Sequence, residues 1–411
     1  MGYLHLGTNP DPKKHIFCTF YVESELSMPE IAEHIAAESS IGTWTDLATL
    51  RPKIAEKIGA KVYKIDPNQK IVKIAYPLDL FELGNIPQLK SSIMGNIFSM
   101  KVLKNLRLLE IKFPKVYIES FPGPKYGAKG VKKYFGFDEK RPVIGCIVKP
   151  KVGLTSKEHA QVAYNVWTNG VDLVKDDENL TDLKFNRFKD RVDEVMKLKK
   201  KAEKKTGQKK IHVFNITGPM DVMLDRAEYV QKKGGKCVLV DLVSTGLDNV
   251  QVLRKANFDL IIHGHRAGHS LFTRNPRHGM TMYVLAELSR LAGIDQLHTG
   301  TVTGKMEGGK KEILSINKML GDKFSNLKKV LPIASGGLHP GIAAKTLKIL
   351  GNNVVINFGG GIHGHPGGSA AGARAAKLAV DAYMKGLSIK EAIKKPEYHE
   401  LAQAVETWGT K

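Results

Sequence analysis

The spacing of hydrophobic and polar positions changes at about residue 120. Before that point, short runs rich in β-branched and aromatic residues alternate irregularly with amphipathic segments. Ser27-Met-Pro-Glu30 has the spacing of a helix-capping box with proline in the first turn. The pattern predicts a small α+β N-terminal domain, residues 1–120, with strands over residues 15–22, 61–65, 70–76 and 106–113 and helices over 29–39 and 88–95.

From residue 121 onward, short apolar runs recur, each followed by a polar loop and a segment of helical periodicity. This alternation predicts a parallel (β/α)8 TIM barrel over residues 121–411, and hence an α/β fold class. An open dinucleotide-binding sheet would have a glycine-rich loop after its first strand, where this chain has Lys149-Pro-Lys151. The predicted strands are 143–148, 171–174, 212–215, 237–242, 260–263, 296–301, 330–334 and 354–358, with helices between them such as 157–169, 219–233, 279–291 and 341–350.

The charge of the chain is strongly positive, with 63 basic and 41 acidic residues and a formal net charge of +22. The densest lysine run, residues 196–210, includes Glu203 at helical spacing, which favours a solvated helix face over a nucleic-acid-binding surface. We therefore expect no nucleic-acid partner. A positive field would favour an anionic substrate such as a sugar phosphate.

The sequence has no recognisable signal for export or membrane insertion. No basic region precedes an apolar core near Met1, and no apolar run is long enough to span a bilayer. Cys18, Cys146 and Cys237 are far apart in strand-like apolar runs, which predicts buried thiols and no disulfide. We expect a cytoplasmic protein without a membrane partner.

The run Lys175-Asp-Asp-Glu178 follows the second apolar strand of the predicted barrel. If the strand pleat continues, Lys175 and Asp177 point to one side and Asp176 to the other. A buried lysine amine that is neutral can add CO2 and become a carbamate, which is an anionic oxygen ligand. Together with Asp177 and Glu178 it would form a site suited to Mg2+. Taken alone, the run is more typical of a structural cluster of ion pairs, and the motifs that follow along the chain reverse this preference.

Other predicted strand ends also carry reactive or anion-binding groups, and barrels place their catalytic residues at these ends. Glycine pairs after strands seven and eight commonly bind phosphate through backbone N–H groups. With Arg266 after strand five, they could hold the two phosphates of a short sugar bisphosphate. The residues 300–308, with Lys305 among them, have the composition of a mobile lid. The groups concerned are Lys149 and Lys151, His263 to Arg266, His298, Ser335 to Gly337, and Gly359 to Gly361.

Together these motifs resemble the large subunit of ribulose-1,5-bisphosphate carboxylase/oxygenase (RuBisCO). The resemblance extends over nearly the whole chain and rests on Gly145-Cys-Ile-Val-Lys-Pro-Lys-Val-Gly-Leu154, Lys175-Asp-Asp-Glu178, His263-Gly-His-Arg266, the segment 300–308 and Ser335-Gly-Gly337. It implies Mg2+-dependent carboxylation of ribulose-1,5-bisphosphate to two molecules of 3-phosphoglycerate through an enediolate. A side reaction with O2 would also be expected.

The resemblance also implies a role for each motif residue. Lys175, carbamylated by an activating CO2, would be a Mg2+ ligand and the base that removes the C3 proton. Asp177 and Glu178 would be the other ligands, and Lys149 would act as acid and base at C2. The remaining implied residues contact the substrate: Lys151 supports Lys149; His265, Arg266, His298 and Ser335 hold substrate and one phosphate; Lys305 closes over CO2; and Gly336, Gly337, Gly359 and Gly360 surround the other phosphate.

The N-terminal domain would complete the active site of a neighbouring subunit, through Glu38, Thr43, Trp44 and Asn96. A homodimer, or a larger assembly of dimers, is therefore expected. The chain departs from the plant pattern at Ile147, where the family has threonine, at Gly268, where methionine is common, and in ending at Lys411 without a long tail. These features resemble the archaeal form III group, which has no small subunit and acts in AMP and nucleotide salvage.

Two alternative functions belong to other classes. A RuBisCO-like enolase or isomerase would enolise a different sugar phosphate without adding CO2. Such relatives usually lose several carboxylation residues, whereas Lys149, Lys175, His298, Lys305 and Ser335 are all present here. A basic nucleic-acid-binding protein would leave the residues at the strand ends unexplained.

Overall fold

The computed structural model describes residues 2–43, 45, 47–136, 140–303 and 309–410. The chain divides into two compact units. The first comprises Met1–Pro122, Gly268–Ala292 and Phe324–Leu327, and the second comprises Gly123–Ala267, Gly293–Lys323 and Lys328–Lys411. In chain order, the strands of the described residues are β1 His15–Ser24, β2 Lys61–Asp66, β3 Ile71–Pro77, β4 Leu103–Lys112, β5 Val143–Ile147, β6 Leu173–Lys175, β7 Ile211–Asn215, β8 Cys237–Asp241, β9 Ile261–His265, β10 Gly279–Met280, β11 Gln296–His298, β12 Leu331–Ser335 and β13 Val355–Phe358.

The first unit is built on a five-stranded sheet in the order β10-β4-β1-β3-β2. Strand β1 buries every second side chain, Ile16, Cys18, Phe20 and Val22, which gives the sheet one core-facing side. As predicted, Ser27 caps the first helix by accepting a hydrogen bond from the backbone N–H of Glu30. The helices of this unit are Met28–Glu38, Pro52–Ile58, Ile86–Ile93, Lys115–Glu119, Ser270–Thr273 and Met282–Ala292, with 3-10 turns at Leu78–Leu80 and Asn96–Ser99.

The second unit contains a closed barrel of eight parallel strands in the order β11-β12-β13-β5-β6-β7-β8-β9. This architecture confirms the predicted (β/α)8 barrel. Its inward-facing core includes Val143, Leu173, Val213, Leu239 and Ile333, all fully buried. The helices of the second unit are Gly127–Phe135, Ser156–Trp167, Phe188–Thr206, Met220–Lys232, Leu242–Thr245, Leu247–Lys255, Lys310–Gly321, Pro340–Leu350, Gly360–His363, Gly368–Met384, Ile389–Ala392 and His399–Trp408, with a 3-10 turn at Pro396–Tyr398.

Two barrel strands differ from their predicted bounds in ways that matter for the site. Strand β6 begins at Leu173 and includes Lys175, so this lysine lies on the strand rather than after it. Strand β11 ends at His298, three residues before the predicted end.

No helix among the described residues is long and apolar enough to cross a membrane. The three cysteines are buried and free, as predicted.

The segment Gly268–Ala292 belongs to the first unit, although the sequence analysis counted it with the barrel. Its short strand β10 extends the sheet by pairing in parallel with β4. Arg107 of β4 donates a hydrogen bond to the carbonyl oxygen of Thr273 at 2.9 Å. The helix Met282–Ala292 is buried on nearly all sides, and part of its burial comes from packing against β4. Local periodicity marks such a helix but does not show which sheet it covers.

Glu287 on this helix predicts a pH dependence of stability. Burial, reinforced by the charge of Glu110, raises the pKa of Glu287 from 4.5 to about 8. Because the native pKa lies above the ordinary value, stability should fall between about pH 4.5 and pH 8, by about 1.4 kcal/mol per pH unit. Glu287→Gln should remove this slope, as measured by urea unfolding at several pH values. Glu56→Gln, at an exposed helix position, is the control; an unchanged slope in Glu287→Gln would contradict the assignment.

Candidate active site

Lys175 lies at the carboxyl end of β6 and is fully buried. Its Nζ makes no hydrogen bond within the described residues, and Oε2 of Glu178 lies 3.6 Å away. Burial lowers the pKa of Lys175, although the charges of Glu178 and Asp177 oppose the shift. The structure therefore presents a buried amine without a hydrogen-bond acceptor, beside two carboxylates.

Asp177 faces the end of the neighbouring strand. Nζ of Lys149 donates to its Oδ2 at 2.8 Å, and Nδ2 of Asn179 donates to Oδ1 at 3.0 Å. Burial alone would raise the pKa of Asp177, but these two hydrogen bonds and the lysine charges bring it below its ordinary value. Asn215 at the end of β7 donates to the backbone carbonyls of Asp177 and Glu178 at 3.2 and 2.9 Å. This contact fixes the path of the loop that carries both carboxylates.

Asp176 points away from Lys175 and Asp177, as the pleat predicted. Its Oδ2 accepts from Nε of Arg191 at 3.0 Å and from the backbone N–H of Asn215 at 3.0 Å. Its Oδ1 lies 2.7 Å from Nε2 of His212 and 3.0 Å from Nε2 of His159. The charges of Arg191 and His212 overcome the effect of burial and keep the pKa of Asp176 well below its ordinary value.

His159, Asp176 and His212 also have the composition of a metal-binding group, with ligand atoms within 4.8 Å of one another. The guanidinium of Arg191 already neutralises Asp176. We therefore interpret the group as a buried hydrogen-bonded cluster that anchors the strand between the two helices Ser156–Trp167 and Phe188–Thr206. The two histidines have no recognisable spacing in the sequence, because only the fold brings them together.

A chain of hydrogen-bonded side chains runs across β9, β11 and β12. Nδ1 of His298 lies 2.7 Å from Oγ of Ser335, and its Nε2 lies 2.8 Å from Nε2 of His263. Nδ1 of His263 lies 2.7 Å from Oε1 of Gln296. Burial lowers the pKa of both histidines well below 6.5, so both rings are neutral. Each neutral ring has one N–H, so all the hydrogen bonds in the chain must run in one direction.

Gln296 was missed as a site residue, and His263 was noted only as part of the motif after strand five, without a role of its own. Each lies two residues before a predicted site residue on the same strand, namely His265 and His298. Residues two apart on a strand face the same side, so the alternation along each strand could have predicted that both residues lie near the site.

His265 is oriented by the backbone and by acidic neighbours. Its Nδ1 accepts a hydrogen bond from the N–H of Ala267 at 3.2 Å. Nε2 lies 3.5 Å from Oε2 of Glu178, and the ring centroid lies 4.7 Å from that of His298. His265 therefore joins the Glu178 side of the site to the histidine chain.

Arg266 lies against the start of the segment that follows β11. Burial lowers the pKa of Arg266 to about 10. A Cβ at Gly300 would come within 2.7 Å of the guanidinium Nη2, and Gly300 has a φ of +97°. A side chain at position 300 would therefore displace Arg266, which explains why glycine is needed there.

Glycine turns follow β12 and β13, as the sequence analysis expected. Gly336 and Gly337 have φ of +104° and +73°, a conformation that side chains rarely adopt. A Cβ at Gly359 would lie 3.7 Å from Cε of Lys149, so this glycine is beside the lysine stem. Gly360 begins the short helix Gly360–His363.

Four further predicted site residues, Lys151, Glu38, Thr43 and Asn96, lie among the described residues. Lys151 is exposed. Glu38, Thr43 and Asn96 belong to the first unit, where Nδ2 of Asn96 donates to Oε1 of Glu38 at 3.4 Å. Trp44 and Lys305 lie outside the described residues.

The donor set of Lys175, Asp177 and Glu178 fits a hard divalent cation. Two carboxylates are oxygen ligands of the kind that Mg2+ prefers. The unpartnered Nζ of Lys175 supplies a position where a carbamate would add a third anionic oxygen. The residues present therefore fit the metal that the sequence analysis predicted.

Two models of known protein families match the chain. The ribulose bisphosphate carboxylase large chain catalytic domain matches residues 132–408, and the N-terminal domain of the same chain matches residues 2–117. The chain belongs to the RuBisCO large-chain family. The resemblance seen in the sequence is thereby confirmed, and so is the fold of a barrel preceded by a domain with a small sheet.

Two relatives of this RuBisCO chain come from archaea. The ribulose bisphosphate carboxylase of Pyrococcus furiosus is 44% identical over 413 residues, covering 100% of this chain and 97% of the relative. That of Methanocaldococcus jannaschii is 43% identical and covers 99% of this chain and 100% of the relative.

Solved structures of archaeal Rubisco have the same fold. Octameric Rubisco from Pyrococcus horikoshii OT3 aligns with a TM-score of 0.94 at 43% identity, covering 99% of this chain and 96% of that chain. Dimeric archaeal Rubisco from Hyperthermus butylicus aligns with a TM-score of 0.92 at 40% identity, covering 100% of this chain and 99% of that chain.

Proposed function

We propose that this RuBisCO chain catalyses Mg2+-dependent carboxylation of ribulose-1,5-bisphosphate to two molecules of 3-phosphoglycerate. The observation that carries the proposal is the buried, unpartnered amine of Lys175 beside Asp177 and Glu178 at a barrel strand end. Glycine turns after β12 and β13 and the half-buried Arg266 would supply sites for two phosphates. A side reaction with O2 is part of the proposal, because the enediolate formed by enolisation can react with either gas.

Lys175, as a carbamate formed with an activating CO2, would hold Mg2+ together with Asp177 and Glu178. The bound ion supplies positive charge that stabilises negative charge developing on substrate oxygens. In the carbamylated form, Lys175 would be the base that removes the C3 proton. Lys149, held at 2.8 Å from Asp177, then transfers a proton at C2.

The histidine and glycine residues hold the substrate in place for these proton transfers. The sugar and one phosphate would be bound by His298, His265 and Arg266. The ring of His298 is neutral and hydrogen-bonded to Ser335. The backbone of Gly336, Gly337, Gly359 and Gly360 surrounds the second phosphate. Lys151 supports Lys149, and Lys305 closes over CO2.

The proposed assembly is a homodimer, or several dimers, without a small subunit. Glu38, Thr43, Trp44 and Asn96 would complete the site of the neighbouring chain. The octameric and dimeric relatives support association of large chains. Supply of ribulose bisphosphate from AMP, in nucleotide salvage, is the proposed physiological route.

The direct test is product analysis after incubation with labelled bicarbonate, Mg2+ and ribulose bisphosphate. Carboxylation should place the label in one of every two 3-phosphoglycerate molecules. A RuBisCO-like enolase or isomerase, which would act on a different sugar phosphate, would fix no label. Lys175→Ala protein, prepared in parallel, controls for contaminating activity.

Lys305→Ala should separate enolisation from carboxylation. Removal of the C3 proton needs Lys175 and the metal, whereas a cation over CO2 acts only after that step. We expect carboxylation to fall by about 10²-fold or more while solvent exchange of the C3 proton continues. Isotope uptake and labelled CO2 fixation are measured on one preparation. Loss of both reactions would assign Lys305 to substrate binding instead.

A further inference from the structure

A side-chain hydrogen bond joins two chain segments to which the proposed function gives roles. His363 ends the short helix Gly360–His363 and lies two residues after the glycines at 359–361. Its Nε2 lies 3.0 Å from the backbone carbonyl oxygen of Ile147, the last residue of β5. Lys149, the proposed proton-transfer group, follows two residues later.

The backbone pairing between β13 and β5 ends before it reaches this carbonyl. The last pair in the register is Phe358 with Cys146, because the chain after Phe358 turns into the short helix. The backbone N–H of Val143, four residues before Ile147 on β5, donates to the carbonyl of Val354. Alternate residues of a strand direct their backbone groups to the same side, so the carbonyl of Ile147 also faces β13. The imidazole of His363 thus replaces a backbone donor where the ladder stops.

The contacts of His363 fix a single tautomer. A carbonyl oxygen can only accept, so Nε2 must carry the proton. Nδ1 lies 2.9 Å from Oγ of Ser369, whose hydroxyl can donate to it. Burial lowers the pKa of His363 to about 4, although the bond to Ile147 opposes the shift, so the ring is neutral at pH 7. Sγ of Cys146 lies 3.2 Å from Nε2 and is a second, weaker acceptor for the same N–H.

We propose that His363 is a positioning residue for Lys149: its Nε2–H holds the end of β5 and thereby sets the path of the backbone that carries this lysine. The lysine lies between two fixed neighbours. Its Cε would be 3.7 Å from a Cβ at Gly359, and its Nζ donates to Asp177 at 2.8 Å. The inference rests on the proposed carboxylation, and His363 acts through the backbone without touching the substrate.

His363→Leu removes the donor while keeping a side chain of moderate size. We expect kcat to fall about tenfold, because a displaced proton-transfer group slows the chemical steps. KM for ribulose bisphosphate should stay within about twofold, because uniform binding is unchanged. His363→Gln should recover most of the wild-type kcat, because its amide nitrogen can reach the position of Nε2. The shorter amide of His363→Asn cannot, and should resemble leucine.

The matched control is His365→Leu. His365 lies two residues further along the same segment, and its Nε2 also donates to a backbone carbonyl, that of Glu400, at 2.9 Å. This bond leads away from β5, so the variant should lose thermal stability but keep the wild-type kcat. A second readout is the 13C signal of labelled CO2 bound as carbamate in the presence of Mg2+, which should be unchanged in both leucine variants.

The outcomes separate the two hypotheses. If the wild-type chain fixes no CO2, the proposed function is wrong, and the positioning role of His363, which depends on it, is wrong too. If the wild type is active and His363→Leu has the same kcat, only the positioning role is wrong. Equal losses in the glutamine, asparagine and leucine variants, or a matching loss in His365→Leu, would show a merely structural role. If His363→Leu does not fold, the comparison of glutamine with asparagine decides.

Discussion

Lys175→Arg should abolish carboxylation and leave the barrel folded. A guanidinium stays charged and cannot add CO2, so neither the third oxygen ligand nor the base at C3 can form. We expect a loss of at least about 10³-fold in kcat, near the upper range for removal of a general base. Initial rates after preincubation with CO2 and Mg2+ measure the loss, and 13C NMR with labelled CO2 should show no carbamate.

Lys210→Arg is the matched control for replacing a buried lysine. Nζ of Lys210 is also buried, but it donates to the carbonyl oxygen of Val171 at 2.8 Å, and arginine can keep that bond. The control should retain both the carbamate signal and activity. A carbamate signal or substantial activity in Lys175→Arg would show that the metal site is built from other residues.

The barrel could be predicted because its strands leave a local signal. Parallel strands covered on both faces read as short continuous apolar runs, such as residues 237–241, and helices of the right length separate them. Strand β10 leaves no such signal. It has two residues, Gly279 and Met280. They form a strand only because they pair with the edge of β4, which lies about 170 positions earlier in the chain. Long-range pairing of this kind cannot be deduced from neighbouring residues.

Only the part of the candidate site at the strand ends could be predicted from the sequence. The strand-end rule located Lys149, Lys175 and His298, because it needs only the order of strands and the residue that follows each. It could not locate His363, which is neither on a strand nor at its end, and whose partner Ile147 lies more than 200 positions away. Nor could it show that His159 and His212, on different elements, meet at Asp176.

Two inactive variants, Lys175→Ala and Asn96→Ala, should complement each other when their subunits are mixed. Asn96 and its partner Glu38 belong to the first unit, and the proposal assigns them to the neighbouring chain's site. In a twofold dimer that contains one chain of each variant, one site carries both substitutions and the other carries neither. Equal, random mixing makes half of the dimers mixed, so about a quarter of all sites should be intact.

The experiment is best run on co-expressed chains with two different affinity tags, so that mixed dimers can be isolated. These should have about half the wild-type kcat per chain, because one of two sites is complete. The matched control pairs Lys175→Ala with Asp177→Ala. Both substitutions lie in the same barrel site, so every site in that mixed dimer lacks a metal ligand and no activity should return. Isolated mixed dimers of the first pair that remain inactive would show that Asn96 acts within its own chain, and the shared site would be wrong.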